Sequence, residues 1–94
     1  MGKAKRPQPK KLKRKLRQIR TGFKLTQEQI ATQLKKHGAE RAIHSGYVSD
    51  YETGKREPSL LTLLAYSRLA GVNMESLVDD KVDLPQRSTP EAPD

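Results

Sequence analysis

The chain has 94 residues, of which 19 are Lys or Arg and 11 are Asp or Glu, and its net charge is +8. A chain of this length forms one small domain and excludes an enzyme with a deep cleft, and its positive charge predicts a polyanionic partner. The sequence contains no cysteine, which excludes disulfides and thiolate metal sites and favours an intracellular protein.

No membrane span or secretory signal is expected. No run approaches the roughly 18 consecutive apolar residues of a spanning helix. The basic N-terminus is not followed by the apolar segment of a signal peptide. The sequence therefore predicts a cytoplasmic protein with no membrane partner.

The positive charge is concentrated at the N-terminus. Residues 1–24 contain eleven Lys or Arg and no acid. Residues 25–94 contain the other eight cations and all eleven acids, so their net charge is −3. Residues 1–9, MGKAKRPQP, combine cations with two prolines and have no apolar face. This composition predicts a disordered basic arm.

Helices one and two are predicted from apolar spacing and from a capping motif. From Lys10 onward, apolar residues recur every three or four positions and share one helix face. Thr26 and Gln29 form a capping box, so helix two begins at Gln27 and ends near Gly38. The residues predicted to be buried in helix one are Leu12, Leu16, Ile19 and Phe23, and those in helix two are Ile30, Ala31 and Leu34.

Three further helices complete a predicted all-α fold. Ser45 is expected to cap helix three, which ends at Gly54, with Val48 and Tyr51 facing the core. Pro58 and Ser59 begin helix four, Gly71 ends it, and Asn73 caps helix five. Helix four is expected to be almost fully buried through Leu60, Leu61, Leu63, Leu64 and Leu69. Residues 10–80 thus form the predicted domain, and residues 81–94 a flexible acidic tail.

The order of these signals resembles the lambda-repressor-like, Xre-type helix-turn-helix family. The matching segments are LTQEQIATQL, YVSDYETGKREPSLLTLL and AGVNMESL. The resemblance covers roughly residues 10–80. It implies that helices two and three form the helix-turn-helix, with helix three in the major groove of double-stranded DNA.

The same resemblance implies roles for individual residues in helix three. Ser45, Gly46 and Asp50 match positions that read bases, and Tyr47 matches one that often touches the DNA backbone. Two depart from the family's pattern, because Gly46 has no side chain and Asp50 can only accept a hydrogen bond, for example from a cytosine amino group. Asp50 is either a base discriminator or a surface charge turned away from DNA.

Residues around helix three are expected to hold phosphates or to orient the helix. Gln27 at the start of helix two can hold a phosphate, although a solvated polar residue would look the same. Thr53, Lys55 and Arg56 follow the helix, where cations reach neighbouring phosphates. Arg20 and Glu52 match the family's pair between helix one and the recognition helix. This pair holds the recognition helix at a fixed angle and could aim Arg20 at a phosphate.

The linker between helices two and three departs from the family pattern. Eight residues, HGAERAIH, separate Lys36 from Ser45, whereas compact units use roughly three to four. Either helix two ends at Gly38 and a longer loop follows, or the recognition helix starts at Ala39. The loop is favoured because Gly46 inside a helix would cost up to about 1 kcal/mol. This loop offers Arg41, His44 and Ser45 as further candidates for contact with the DNA backbone.

Other chemistries find little support. His37, His44, Ser45 and Asp50 are the residue types of a hydrolase triad, but no nucleophile elbow or strand signal accompanies them. Two histidines without further ligands do not define a zinc site. No enzymatic activity, cofactor or metal is therefore predicted.

The predicted function is a sequence-specific, double-stranded DNA-binding transcriptional regulator that acts by occupying an operator. A homodimer is expected because members of the family commonly dimerise. The exposed candidates for its interface are Met74, Val78, Val82 and Leu84. The main alternative is an antitoxin whose acidic tail binds a toxin protein, and a weaker one is an RNA-associated factor. The basic arm either contacts DNA or only increases solubility.

Overall fold

Five α-helices account for the regular structure of residues 9–84, the part of the chain that the computed structural model describes. The helices are α1 (Leu12–Gly22), α2 (Gln27–Lys36), α3 (Ser45–Thr53), α4 (Leu60–Ala70) and α5 (Met74–Val78). The described residues contain no strand, so the predicted all-α fold is confirmed. Most of the predicted arm and residues 85–94 lie outside the described range. None of the described helices has the length and apolar character needed to cross a membrane.

The core lies where α1, α2, α3 and α4 meet, with α5 closing one side. Leu16, Ile30, Leu34, Val48 and Leu77 have no exposed surface. Burial of one such side chain stabilises the fold by roughly 1.5–3 kcal/mol. Because these residues come from four helices, the apolar contacts fix how α2 and α3 are presented.

Three apolar residues predicted to be buried are exposed. Phe23 is 42% exposed because α1 ends one residue earlier and the chain turns through Lys24, whose φ of 59° is positive. Leu60 and Leu61 are 70% and 52% exposed because they form the first turn of α4. The core face of α4 is carried by Thr62, Leu63, Ala65 and Tyr66. A segment that is apolar on every side does not indicate which side is buried.

Most helix ends follow the predicted capping signals. The Thr26 hydroxyl accepts from the Gln29 amide at 3.0 Å, and Gln29 Oε1 accepts from the Thr26 amide at 2.9 Å. Ser59 caps α4 by accepting from the Thr62 amide. Asn73 occupies the N-cap position of α5 without a side-chain capping bond. The prediction for α3 is wrong by one residue, because His44 is its N-cap and Ser45 is the first helical residue.

A seam joins α1 to the segment after α5. The buried Lys15 ammonium donates to the carbonyl oxygens of Ser76 at 2.7 Å, Asp79 at 3.0 Å and Val82. In return, the Asp80 carboxylate accepts from the main-chain amides of Lys10 and Lys11 at 2.8 and 2.9 Å. We call these contacts the terminal seam. They hold residues 79–82 against the first turn of α1, and Leu84 beyond them packs against the core.

Candidate nucleic-acid interface

A charged pair fastens α3 to the end of α1. Arg20 Nε and Nη2 donate to the two Glu52 carboxylate oxygens at 2.7 and 3.0 Å. The third nitrogen, Nη1, donates to the Leu25 carbonyl oxygen at 3.0 Å. The hydrogen bond to Glu52 raises the pKa of Arg20 above its ordinary value. The predicted pair is present, and because all three guanidinium nitrogens have partners, the geometry favours an orienting role over a phosphate contact.

Gln27 extends this charged pair to the start of α2. Its Nε2 atom donates to Glu52 Oε1 at 3.3 Å, and the residue is half-buried. Glu52 therefore receives hydrogen bonds from both α1 and α2, and its side chain is only 4% exposed. The N-terminus of α2 is thereby held at a defined position beside α3.

The eight-residue linker forms an anchored loop. Helix α2 ends at Lys36, and the left-handed Gly38 with φ of 107° follows it, which confirms the longer-loop alternative. Ala39 and Ile43 are buried in the core, with exposed fractions of 9% and 1%. The linker therefore brings the chain to α3 along a fixed path.

His44 and Gly46 together form the start of α3. His44 Nδ1 accepts from the Gly46 amide at 3.0 Å, which requires that Nδ1 carry no proton. A Cβ atom on Gly46 would lie 2.8 Å from His44 Cε1, closer than real contacts allow. Gly46 therefore makes room for the capping ring, which is a structural reason for the glycine that the sequence left unexplained. The sequence does not indicate the His44 cap, because histidine is not among the usual N-cap residues.

Asp50 is opposed by a cation from the following turn. Arg56 Nε lies 3.6 Å from Asp50 Oδ2, and its guanidinium carbon lies 4.2 Å from the centroid of the Tyr47 ring. The Tyr47 ring in turn meets the His44 ring edge-on at 4.7 Å. Such an exposed pair contributes little to stability, but it reduces the repulsion that the Asp50 carboxylate would exert on a phosphate.

The candidate contact residues share the outer side of α3 and the turn that follows. Gly46, Asp50 and Thr53 are spaced by four and three residues, so they lie on one helix face. Val48 and Tyr51 lie on the opposite side and are buried, as predicted, and burial raises the pKa of Tyr51. Ser45, Gly46, Thr53, Lys55 and Arg56 are exposed, whereas Tyr47 and Asp50 are half-buried. The Thr53 hydroxyl donates to the Ser49 carbonyl oxygen at 3.0 Å.

Charges on this surface are divided between α3 and its surroundings. Helix α3 contains two acids, Asp50 and Glu52, and no Lys or Arg. Each acid is paired with an arginine from outside the helix, Arg56 and Arg20 respectively. The helix therefore presents hydroxyl groups and one accepting carboxylate, while cations lie at its margins. Within residues 9–84 no cluster of three metal-binding side chains occurs.

Comparison with known proteins identifies the class of this chain. A family model described as helix-turn-helix matches residues 16–77, which includes α2, α3 and α4 completely. The chain therefore belongs to the lambda-repressor-like, Xre-type helix-turn-helix family, whose members are DNA-binding transcriptional regulators. The predicted resemblance is confirmed. No curated protein and no solved structure matches the chain.

Proposed function

We propose that this protein is a sequence-specific regulator that binds double-stranded DNA and acts by occupying an operator. The observation that carries the proposal is that Glu52 fastens α3 to Arg20 of α1 and Gln27 of α2, while the outer side of α3 stays open. A helix held in this way can enter a major groove in one orientation. Preorganisation of this kind lowers the entropic cost of binding.

Within this proposal, the start and the outer side of α3 read bases. Ser45 can donate to or accept from a base edge, and Asp50 accepts from a cytosine amino group. Gly46 allows the main chain to approach the groove floor closely. Gln27 on α2 and Lys55 after α3 hold phosphates on the two sides of the helix. Arg56 lies over the Tyr47 ring, and Tyr47 contacts the DNA backbone beside these phosphates.

Selection of bound duplexes from a random library tests the proposal. The wild-type protein should yield one motif, and Asp50→Ala should relax one base position, since a good side-chain contact provides about 1–3 kcal/mol of discrimination. Glu75→Ala removes an exposed acid from α5 and should leave the motif unchanged. A library that yields no motif would contradict sequence-specific binding, and an unchanged motif with Asp50→Ala would show that its carboxylate does not read a base.

Homodimerisation is part of the proposal by family membership. The expectation that four apolar residues are exposed for this purpose is wrong in part. Val78 is 38% exposed, whereas Met74, Val82 and Leu84 are half-buried, and Met74 and Leu84 pack against the core. Sedimentation equilibrium with and without an operator duplex measures the stoichiometry, and a dimer should bind half-sites about one helical turn apart. We place the protein in the cytoplasm, associated with DNA.

A further inference from the structure

A groove with a cationic rim lies between the start of α1 and the end of α3. Its rim carries Lys10 and Lys13 from α1 and its approach, and Arg56 from the turn after α3. Three buried residues, Leu12, Tyr51 and Pro58, line it as well. The groove thus combines buried side chains with positive charge at its edge.

Lys13 is the central cation of this groove. A Cβ atom placed on Gly54 would lie 3.3 Å from Lys13 Cδ and 3.6 Å from its Nζ, so the lysine side chain extends across the glycine that ends α3. Among residues 9–84, the ammonium groups of Lys10 and Lys13 have no hydrogen-bond or ion-pair partner. The side chains of Lys11, Lys15 and Arg20, by contrast, are each bonded to one or more partners. The groove therefore holds two cations that no side chain within residues 9–84 pairs, directly beside the proposed DNA-binding surface.

We propose that this groove binds a backbone phosphate of the duplex that α3 occupies, at a position flanking the base pairs that α3 reads. The inference rests on the proposed function and adds a contact made by α1. The groove includes Thr53 and Arg56, so it is continuous with the outer side of α3. A lysine ammonium binds phosphate oxygens as a compact point charge.

A purely structural role for Lys13 predicts a different outcome. Its ammonium lies near the C-terminus of α3, where a cation stabilises the helix through the macrodipole. In that case Lys13→Gln would lower the thermal midpoint and leave DNA binding of the folded protein unchanged. A phosphate contact instead changes the salt dependence of binding.

The test measures affinity of the full chain for a selected duplex across a series of KCl concentrations. Each lost phosphate contact reduces the slope of log K against log salt by about 0.9. Lys13→Gln should therefore lower the slope by about 0.9 and leave the selected motif unchanged, and adding Lys10→Gln should lower it further. Lys36→Gln removes an exposed lysine from the C-terminal end of α2. It is the matched control and should keep the wild-type slope.

Duplex length gives a second measurement. Shortening the duplex outside the motif should weaken binding of the wild-type protein and have less effect on Lys13→Gln. An equal slope for wild type and Lys13→Gln, or an equal decrease with Lys36→Gln, would overturn the groove contact while the motif still supported the proposed function. A wild-type protein that binds no duplex would overturn both.

Discussion

The two ends of α1 are fastened to the rest of the molecule by different chemistry. Near its C-terminus, Arg20 binds the carboxylate of Glu52, so one side chain recognises another. Near its N-terminus, Lys15 and Asp80 bind main-chain carbonyl and amide groups in the terminal seam. A contact between side chains depends on both residue types, whereas a contact to main chain depends on one residue and on the path of the backbone.

The two attachments also differ in what they position. The Arg20–Glu52 pair holds α3, so its loss should affect the DNA-binding surface directly. The terminal seam joins residues that are 61 to 70 positions apart in the chain and closes the helical core around Leu77. We therefore expect substitutions in the seam to act mainly on stability and substitutions in the pair to act also on binding.

The largest expected effect is that of Lys15→Met. The substitution keeps the apolar stem of a residue that is 2% exposed but removes the donor for three carbonyl oxygens. The Asp79 carbonyl oxygen still accepts from the Val82 amide, so the loss falls on the carbonyl oxygens of Ser76 and Val82. Unpaired buried polar groups cost about 1–3 kcal/mol each, so we expect a loss of about 3 kcal/mol in the free energy of unfolding. Urea denaturation measures it. Arg14→Met, at an exposed neighbour, should change stability by less than about 0.5 kcal/mol. Equal stabilities for the two variants would contradict a role for the seam.

A smaller change is expected for Glu52→Gln. The amide is isosteric but neutral, and hydrogen bonds to charged groups contribute about 1.5–3 kcal/mol, so unfolding should become easier by about 2 kcal/mol. Affinity for the selected duplex should also fall under conditions in which the variant is fully folded, because α3 loses its fixed angle. Glu75→Gln is the control. A variant that is destabilised but binds DNA as the wild type does would restrict the pair to a structural role.

The smallest effect is expected for Asp80→Asn and depends on pH. Hydrogen bonds from the Lys11 and Lys10 amides lower the pKa of Asp80 below its ordinary value. The folded state thus favours the carboxylate, so its contribution is present above the unfolded pKa and is lost as pH falls through the lowered folded pKa. Asp80→Asn should lower the thermal midpoint at neutral pH, and the difference from wild type should shrink in acid. A difference in thermal midpoint that stays constant from neutral to acid pH would exclude the Asp80 carboxylate charge as its cause.

The order of the helices and most of their ends could be predicted because their signals are local. The capping box of Thr26 and Gln29 and the glycine at position 54 act within one turn of the helix that they begin or end. The pairing of Arg20 with Glu52 followed from the family resemblance. The His44 cap could not be predicted in the same way, because it depends on a ring that packs over Gly46.

The sequence by itself determined an all-α fold with a charged N-terminus and a third helix that ends at Gly54, since apolar periodicity and caps depend on neighbouring residues. The tertiary structure decided which apolar residues are buried, leaving Leu60 and Leu61 exposed, and which charges are neutralised. Lys15 and Lys13 are both lysines of α1, yet one is buried in the terminal seam and the other lies in an open groove. Their different surroundings arise from α5 and α3 respectively, which meet α1 only when the chain folds.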